Sequence, residues 1–494
     1  MIGASVAEQS TRDGFLRSAL TANGRGLALP DFFSWFEAQR AAQPMKVQRV
    51  PLASLDGWQI DGTPLRLAHR SGKFFSIEGI RVVTDFGAVR GWDQPIINQK
   101  EIGVLGIITR VIGGVRHFLM QAKVEPGNID GVQLSPTVQA TRSNFTRVHG
   151  GAGQPYLEYF VSPGRARVLV DQLQGEQGSR FLRKRNRNMI VEVDDGVPLD
   201  DRFCWLTLGQ IKRLLECDNI VNMDVRTILA CLPLVDSDVF PFADGDEMED
   251  LAGRAAVAPV HGFARELLRS LVDRRAALHT TTELLHWLTG LRVRYTLDLA
   301  PQPLDALRGW TMTADQVSHD SGLYFSVIGV DVDAPGREVA HWQQVLLEHG
   351  GFGLNGFVMK RVNGVLHFLV RACMYPGNHE LFELGSTVSR SNADVYFGKP
   401  NAPRFLDLFH EPPAEWVRYD AVQSEEGGRF FHYQNRYTLL ELPEDVQIEE
   451  PESHRWMTLR QVQNFVRHGY FNIEGRNLLA CLDLSAREDS HGAV

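Results

Sequence analysis

The chain is a tandem duplication. Laid against itself at an offset of about 250 residues, it matches itself in one long register. Ser71, Gly72, Phe75 and Gly79 fall on Ser321, Gly322, Phe325 and Gly329, and Trp92 with Gln94 falls on Trp342 with Gln344. GVRHFLMQAKVEPGN, ending at Asn128, meets GVLHFLVRACMYPGN, ending at Asn378. LSPTVQAT from Leu134 answers LGSTVSRS from Leu384, DQLQGEQGSRF from Asp171 answers DAVQSEEGGRF from Asp420, and Trp205 to Leu232 answers Trp456 to Leu482. Solenoid units are single supersecondary elements of about 20 to 50 residues, so a period this long makes each half a domain. The acidic segment Val235 to Gly253, which carries Pro and Gly, interrupts the apolar pattern and predicts a boundary near Ala255. The expected units are therefore 1–254 and 255–494.

Composition narrows the function. The 494 residues are 44% hydrophobic and carry a formal charge of −9, which argues against a general binder of nucleic acid or anionic membrane. The five cysteines, 204, 217, 231, 373 and 481, form no CxxC pair, so neither a disulfide framework nor a structural zinc site is expected, and a cytoplasmic location is. The opening MIGASVAEQSTRDGF lacks a basic-then-apolar signal, and no apolar run approaches the roughly 20 residues needed to span a bilayer.

Within each half, FFSIEGIRVV, VLGIITRVI and VRHFLMQAKV are short, rich in β-branched and aromatic residues, and bounded by Gly, Pro or Asn, as strands are. FLRSALTAN, DFFSWFEAQ and TLGQIKRLLECD space their apolar residues helically, with Thr207 placed to cap the last. The expected fold class is α+β, a mixed sheet flanked by helices in each half.

One strand differs tellingly between the copies. Along Val115 to Glu125 alternate residues share a face, putting His117, Leu119, Gln121, Lys123 and Glu125 on one side and Phe118, Met120, Ala122 and Val124 on the other. The second copy keeps the apolar side as Phe368, Val370, Ala372 and Met374, but its polar side reads His367, Leu369, Arg371, Cys373 and Tyr375. Both copies must fold, but only one needs an acid and a base, so the first half is the candidate for chemistry. A solvated sheet face also carries Lys-x-Glu. Against that, the turn PGN follows at once, beside the small polar residues Ser135, Thr137, Gln139, Thr141, Ser143 and Asn144, where a polar ligand can be held.

The segment SRFLRKRNRNM, with Arg180, Arg183, Lys184, Arg185 and Arg187, is basic against an acidic background and reads either as a solvated face or as a phosphate clamp. Its second copy keeps Arg429, Asn435 and Arg436. Trp92, Phe145, Tyr156 and Tyr159 are candidates to stack on a base, or core residues. His69 and His117 recur as His319 and His367, and read at least as readily as structural hydrogen-bonders as catalysts. No GxGxxG after a strand, GxxxxGK[ST], HExxH or GxSxG occurs.

GWDQPIINQKEIGVLG, HFLMQAKVEPGN, QLSPTVQATRSNFT, QGEQGSRFLRKRNRNMIVE and NIVNMDVRTILACL, in that order, resemble the NDP-hexose 2,3-dehydratases of deoxysugar biosynthesis, and the resemblance covers nearly the whole chain. It implies two fused Nudix-like domains, a homodimer, a cofactor-independent and metal-free hydro-lyase acting on dTDP-4-keto-6-deoxyglucose, and nucleotide-sugar pockets in both repeats, the productive one in the first. A 3-ketoreductase of the same pathway would take the unstable product. Neither EQGSRFLRKRNRN nor EEGGRFFHYQNRY supplies the Glu-rich helix with which Nudix hydrolases hold Mg²⁺.

The implied chemistry needs a base for the C3 proton, an acid for the C2 hydroxyl and a partner for enolate charge. Glu125 or Glu101 would be the base, and Lys123 would stabilise the enolate or protonate the leaving hydroxyl. Arg183, Arg185 and Arg187, with Asn186, would hold the diphosphate, Gln121, Gln139, Thr141 and Asn144 the sugar, and Trp92 and Tyr159 the base. Two other readings stay open: a nucleotide-sugar diphosphatase, and a non-catalytic nucleotide-sugar-binding partner of a glycosyltransferase.

Overall fold

The computed structural model describes residues 6–141, 154–194, 196–234, 261–273, 275–335 and 339–485. The expected boundary near Ala255, like Asn144 and Phe145, lies outside the described residues.

The two halves build the same pair of sheets. In the first, a seven-stranded mixed sheet runs Arg167–Gly175, Arg185–Glu192, Gly103–Ile112, Val115–Val124 and Phe203–Thr207, with the short strands Val132–Ser135 and Val138–Ala140 joined to its centre. Its second copy runs Val417–Ser424, Gln434–Leu442, Gly353–Val362, Val365–Cys373 and His454–Thr458. In each the long central strand pairs in parallel with the arginine-bearing strand and antiparallel with its hairpin partner. The predicted α+β class is what forms.

Helices cover the apolar face. Phe118, Met120 and Ala122, together with Phe368, Val370 and Ala372, belong to one hydrophobic core that also takes in Leu267 and Leu271 from Gly262–Val272 and Phe15 and Leu16 from Val6–Ala19. Thr207 caps Leu208–Leu214 as expected, and reciprocally: its hydroxyl accepts from the Gln210 amide while the Gln210 side chain accepts from the Thr207 amide. Thr458 and Gln461 repeat the device.

The halves exchange strands. Lys46–Val50 of the first repeat pairs antiparallel with Ser326–Asp333, from Lys46 opposite Asp333 to Val50 opposite Gly329. Leu297–Gln302 of the second repeat pairs with Ser76–Thr84, from Leu297 opposite Thr84 to Gln302 opposite Gly79. Each repeat's smaller sheet is thus completed by the other's backbone, and the two are locked in one orientation. No helix among the described residues is long and apolar enough to cross a membrane.

Candidate active site

The polar face of Val115–Val124 does converge on a buried cluster. Lys123 Nζ donates to Glu125 Oε1 at 2.8 Å and to Gln139 Oε1 at 2.6 Å, and Gln139 Nε2 donates to the same Glu125 oxygen at 3.2 Å. Gln139 reaches Lys123 because Val138–Ala140 pairs with Gly103–Ile112 beside it. Glu125 is 7% exposed, and its Oε2 is buried without a hydrogen-bond partner, an acceptor open towards the cluster.

The other walls come from four elements. On Arg185–Glu192, Asn186 donates to Glu176 Oε1 at 2.6 Å and accepts from the Gly103 amide at 3.0 Å. Lys184, two residues before it and buried, donates to the Glu101 carbonyl. Burial pulls Lys184 below the usual amine range, against Glu176, and pushes Glu176 above the usual carboxylate range, against Lys184. Asp224, at the start of Met223–Leu229 and buried, is held well above the ordinary range by burial first and then by Glu426, Glu176 and Glu125.

The last wall belongs to the second repeat. The Gly127 amide donates to the Gly427 carbonyl at 2.7 Å, and the His432 amide donates to the Gly127 carbonyl at 2.9 Å. This clasp brings in Glu426, pushed up to about 7 by burial and then by Glu125, against Arg429. It also brings in Arg429, whose guanidinium lies 4.4 Å from the Phe75 ring and donates to Gln99 Oε1 at 3.3 Å.

Strand alternation divides the basic run. Asn186 faces the cluster, so Arg185 and Arg187 point to the other side of the sheet, where Arg187 makes a two-pronged pair with Asp171 at 2.6 and 2.7 Å. Arg183 is exposed, with its amide on the Gly377 carbonyl at 2.8 Å. Of the expected clamp, only Asn186 reaches the Lys123 cluster; Lys184 and Arg429 are the cations that do.

The remaining candidates separate as well. Glu101 meets Lys184 through its carbonyl, Gln121 lies two residues before Lys123 and half-buried, and Thr141 lies two residues past Gln139. Trp92 donates to Gln94 at 2.8 Å and packs against a small core with Ile80 and Val82, while Tyr159 packs with Tyr156 on the first repeat's second core. These contacts give both rings a packing role. His117 and His367 each bond their own strand through Nδ1 and accept a backbone amide at Nε2.

The second copy builds the same pocket with other chemistry. Arg371 there donates to Cys373 Sγ at 3.3 Å and Tyr375 Oη at 3.2 Å, and burial pushes both the thiol and the phenol up, holding them neutral. Arg180 crosses from the first repeat, 4.4 Å from the Phe325 ring, as Arg429 crosses the other way. Among the described residues one group of acids and histidine has metal-ligand spacing, Asp331, Asp333 and His341, on the adjacent strands Ser326–Asp333 and His341–Glu348 of the six-stranded sheet.

A family model described as NDP-hexose 2,3-dehydratase matches residues 29–232 and again 281–482. The chain belongs to the NDP-hexose 2,3-dehydratase family. A relative from Saccharopolyspora spinosa is 43% identical over 481 residues, 97% of this chain and 96% of its own length. One from Amycolatopsis orientalis is 40% identical over 488 residues, again 97% and 96%, and one from Streptomyces violaceoruber is 42% identical over 455 residues, 91% and 96%. All three are named dTDP-4-dehydro-6-deoxy-alpha-D-glucopyranose 2,3-dehydratase. In this member of the NDP-hexose 2,3-dehydratase family, the sequence pointed to Lys123, Glu125 and Gln139, and to Lys184 and Arg429 only as parts of the basic run and its second copy, but it assigned no role to Asp224 or Glu426. The signal for Glu426 was available: its place in the first copy is taken by Gln177.

Proposed function

We propose that the chain is a dTDP-4-keto-6-deoxyglucose 2,3-dehydratase, removing water across C2 and C3 to give the 3,4-diketo-2,6-dideoxy sugar nucleotide. The observation that carries it is the part-buried Lys123–Glu125–Gln139 network with its one open carboxylate oxygen, in a chain alike over nearly its full length to dehydratases of that name. The sugar's C4 ketone acidifies the C3 proton, so the substrate carries its own electron sink. Glu125 takes the C3 proton through its open oxygen. Lys123, fixed by two acceptors, lies where an enolate oxygen gains most from a cation that need not reorganise. Gln139 keeps both in place and Gln121 and Thr141 extend the polar wall towards the sugar. Lys184 and Arg429 supply the positive charge a diphosphate requires, and Arg429 suits it best because its donors engage phosphate oxygens in pairs.

The same reading carries Nudix-like repeats, supported by the mixed sheet with helices on its apolar face, a homodimer, a cytoplasmic location and a 3-ketoreductase that consumes the product. The test is incubation with dTDP-4-keto-6-deoxyglucose in deuterated water, trapping the product with a 3-ketoreductase and NADPH before mass spectrometry. Loss of one water with deuterium at C2 is expected. Release of dTMP on adding Mg²⁺ would replace this reading with hydrolysis, and tight binding without turnover would replace it with a scaffold.

A further inference from the structure

We propose that Glu426, carried by the second repeat, is the general acid that protonates the C2 hydroxyl as it leaves a pocket built on the first. The inference rests on the dehydratase reading and adds to it a catalytic residue from the other half of the chain.

Four observations carry it. The clasp between Gly127 and Gly427 sets the Glu426 turn directly against the end of the Lys123–Glu125 strand. A Cβ on Gly428 would collide with Glu426 Oε1 and stand 3.6 Å from Glu125 Oε1, so the two carboxyls face one small space that glycine leaves open. The partners of the two carboxyls differ. Glu125 is ion-paired to Lys123, whereas Glu426 Oε1 accepts from the Gly428 amide at 3.0 Å and makes no ion pair among the described residues. The fourth observation is the difference between copies. The pocket with Lys123 and Glu125 receives Glu426 from its neighbour, and the pocket with Cys373 and Tyr375 receives Gln177, whose amide donates to Glu425. At this position of the turn a carboxyl stands only against the pocket that holds Lys123 and Glu125, and an amide stands against the other.

The surroundings of Glu426 favour its protonated form. Burial first, then Glu125 and Glu176, pushes the Glu426 carboxyl up to about 7, with Arg429 and Lys123 opposing. Two neighbouring carboxyls in such a space divide the roles of base and acid. As Glu125 takes the C3 proton, the C3–H electrons become the C2–C3 double bond, the C2–O bond breaks, and the Glu426 proton leaves with that oxygen as water. The resulting enol returns its hydroxyl proton to Glu426 and takes at C2 a proton from Glu125 after that carboxyl has exchanged with solvent, which restores both groups.

The test compares full-length wild type, Glu426→Gln and Glu125→Gln on the native substrate and on its 2-deoxy-2-fluoro analogue in deuterated water. Fluoride departs with far less help from an acid than hydroxide does. In Glu426→Gln, C3 proton exchange should persist and water loss should fall about 100-fold or more, while fluoride release falls much less. In Glu125→Gln all three should fall together. With wild type alone, water loss should decline as pH rises through about 7 and fluoride release should show no such limb. Wild-type rates of water loss in Glu426→Gln, or a folded Glu426→Gln that loses exchange and fluoride release as well, would overturn the assignment, as would a shared pH limb. A wild type that neither exchanges C3 nor loses water overturns the dehydratase reading, and the assignment with it.

Discussion

Gly127 and Gly427 meet backbone to backbone at 2.7 Å, and Gly377 meets Gly178 at the same distance on the other side of the pseudo-twofold axis. Each PGN turn is thereby seated in the opposite repeat's glycine turn. A Cβ on Gly127 would run into the Phe430 carbonyl, and one on Gly377 into that of Phe181, so backbone faces backbone with no flexible side chain to yield. Gly127→Ala should cost about 1 to 3 kcal/mol by thermal or urea unfolding and reduce turnover, because Glu426 and Arg429 withdraw with the turn.

Lys123, partly buried, pairs with the buried Glu125, and removing the lysine leaves the Glu125 carboxylate uncompensated. Lys123→Met should abolish turnover and cost about 3 to 5 kcal/mol of stability. The double variant with Glu125→Gln should regain much of the stability and none of the activity, a coupling that a double-mutant unfolding cycle reads directly. A double variant as unstable as Lys123→Met would show that the pair does not act as a unit.

Arg429 and Arg187 give opposite expectations for the diphosphate. Arg429→Ala should raise KM for the nucleotide sugar by roughly tenfold or more while lowering kcat less, the pattern of lost uniform binding. Arg187→Ala removes a partly exposed pair with Asp171 and should change stability by about 1 kcal/mol or less, with little change in KM. Steady-state kinetics on the two variants settles which arginine faces the substrate.

Acidity should stabilise the second pocket. Burial pushes Glu383 and Glu474 each up to about 7, with Arg476 opposing both. A carboxyl held above its unfolded value favours the folded state while protonated, so this contribution is complete below about pH 4.5 and is lost as pH rises through about 7. The melting temperature should therefore fall between pH 5.5 and 8, with each group contributing at most on the order of 3 kcal/mol. Glu474→Gln should flatten the dependence. A melting temperature that rises across this window in wild type would contradict the assignment.

Strand exchange should make the halves interdependent. Residues 1–254 and 255–494 expressed separately each present a sheet edge whose partner strand is missing, a known route to aggregation. Co-expression should recover a soluble 1:1 complex, measured by size-exclusion chromatography with light scattering. Two stable, monomeric halves would show that the exchanged strands are dispensable.

The duplication, the α+β class, the Thr207 cap and the Lys123–Glu125 face were all legible in the chain, because register, capping and strand alternation depend on residues close in sequence or on direct comparison of the copies. Alternation also held the evidence against a single arginine clamp: with Asn186 turned to the cluster, Arg185 and Arg187 had to face away. What alternation could not assign was which face of Arg185–Glu192 meets the pocket, since both faces carry polar residues. Only the tertiary structure decided that Glu426 and Arg429 complete the first repeat's site. They stand about 300 residues from Lys123, and nothing local links them to it. The link is two strands traded between sheets and two pairs of glycines thin enough for the backbones to touch.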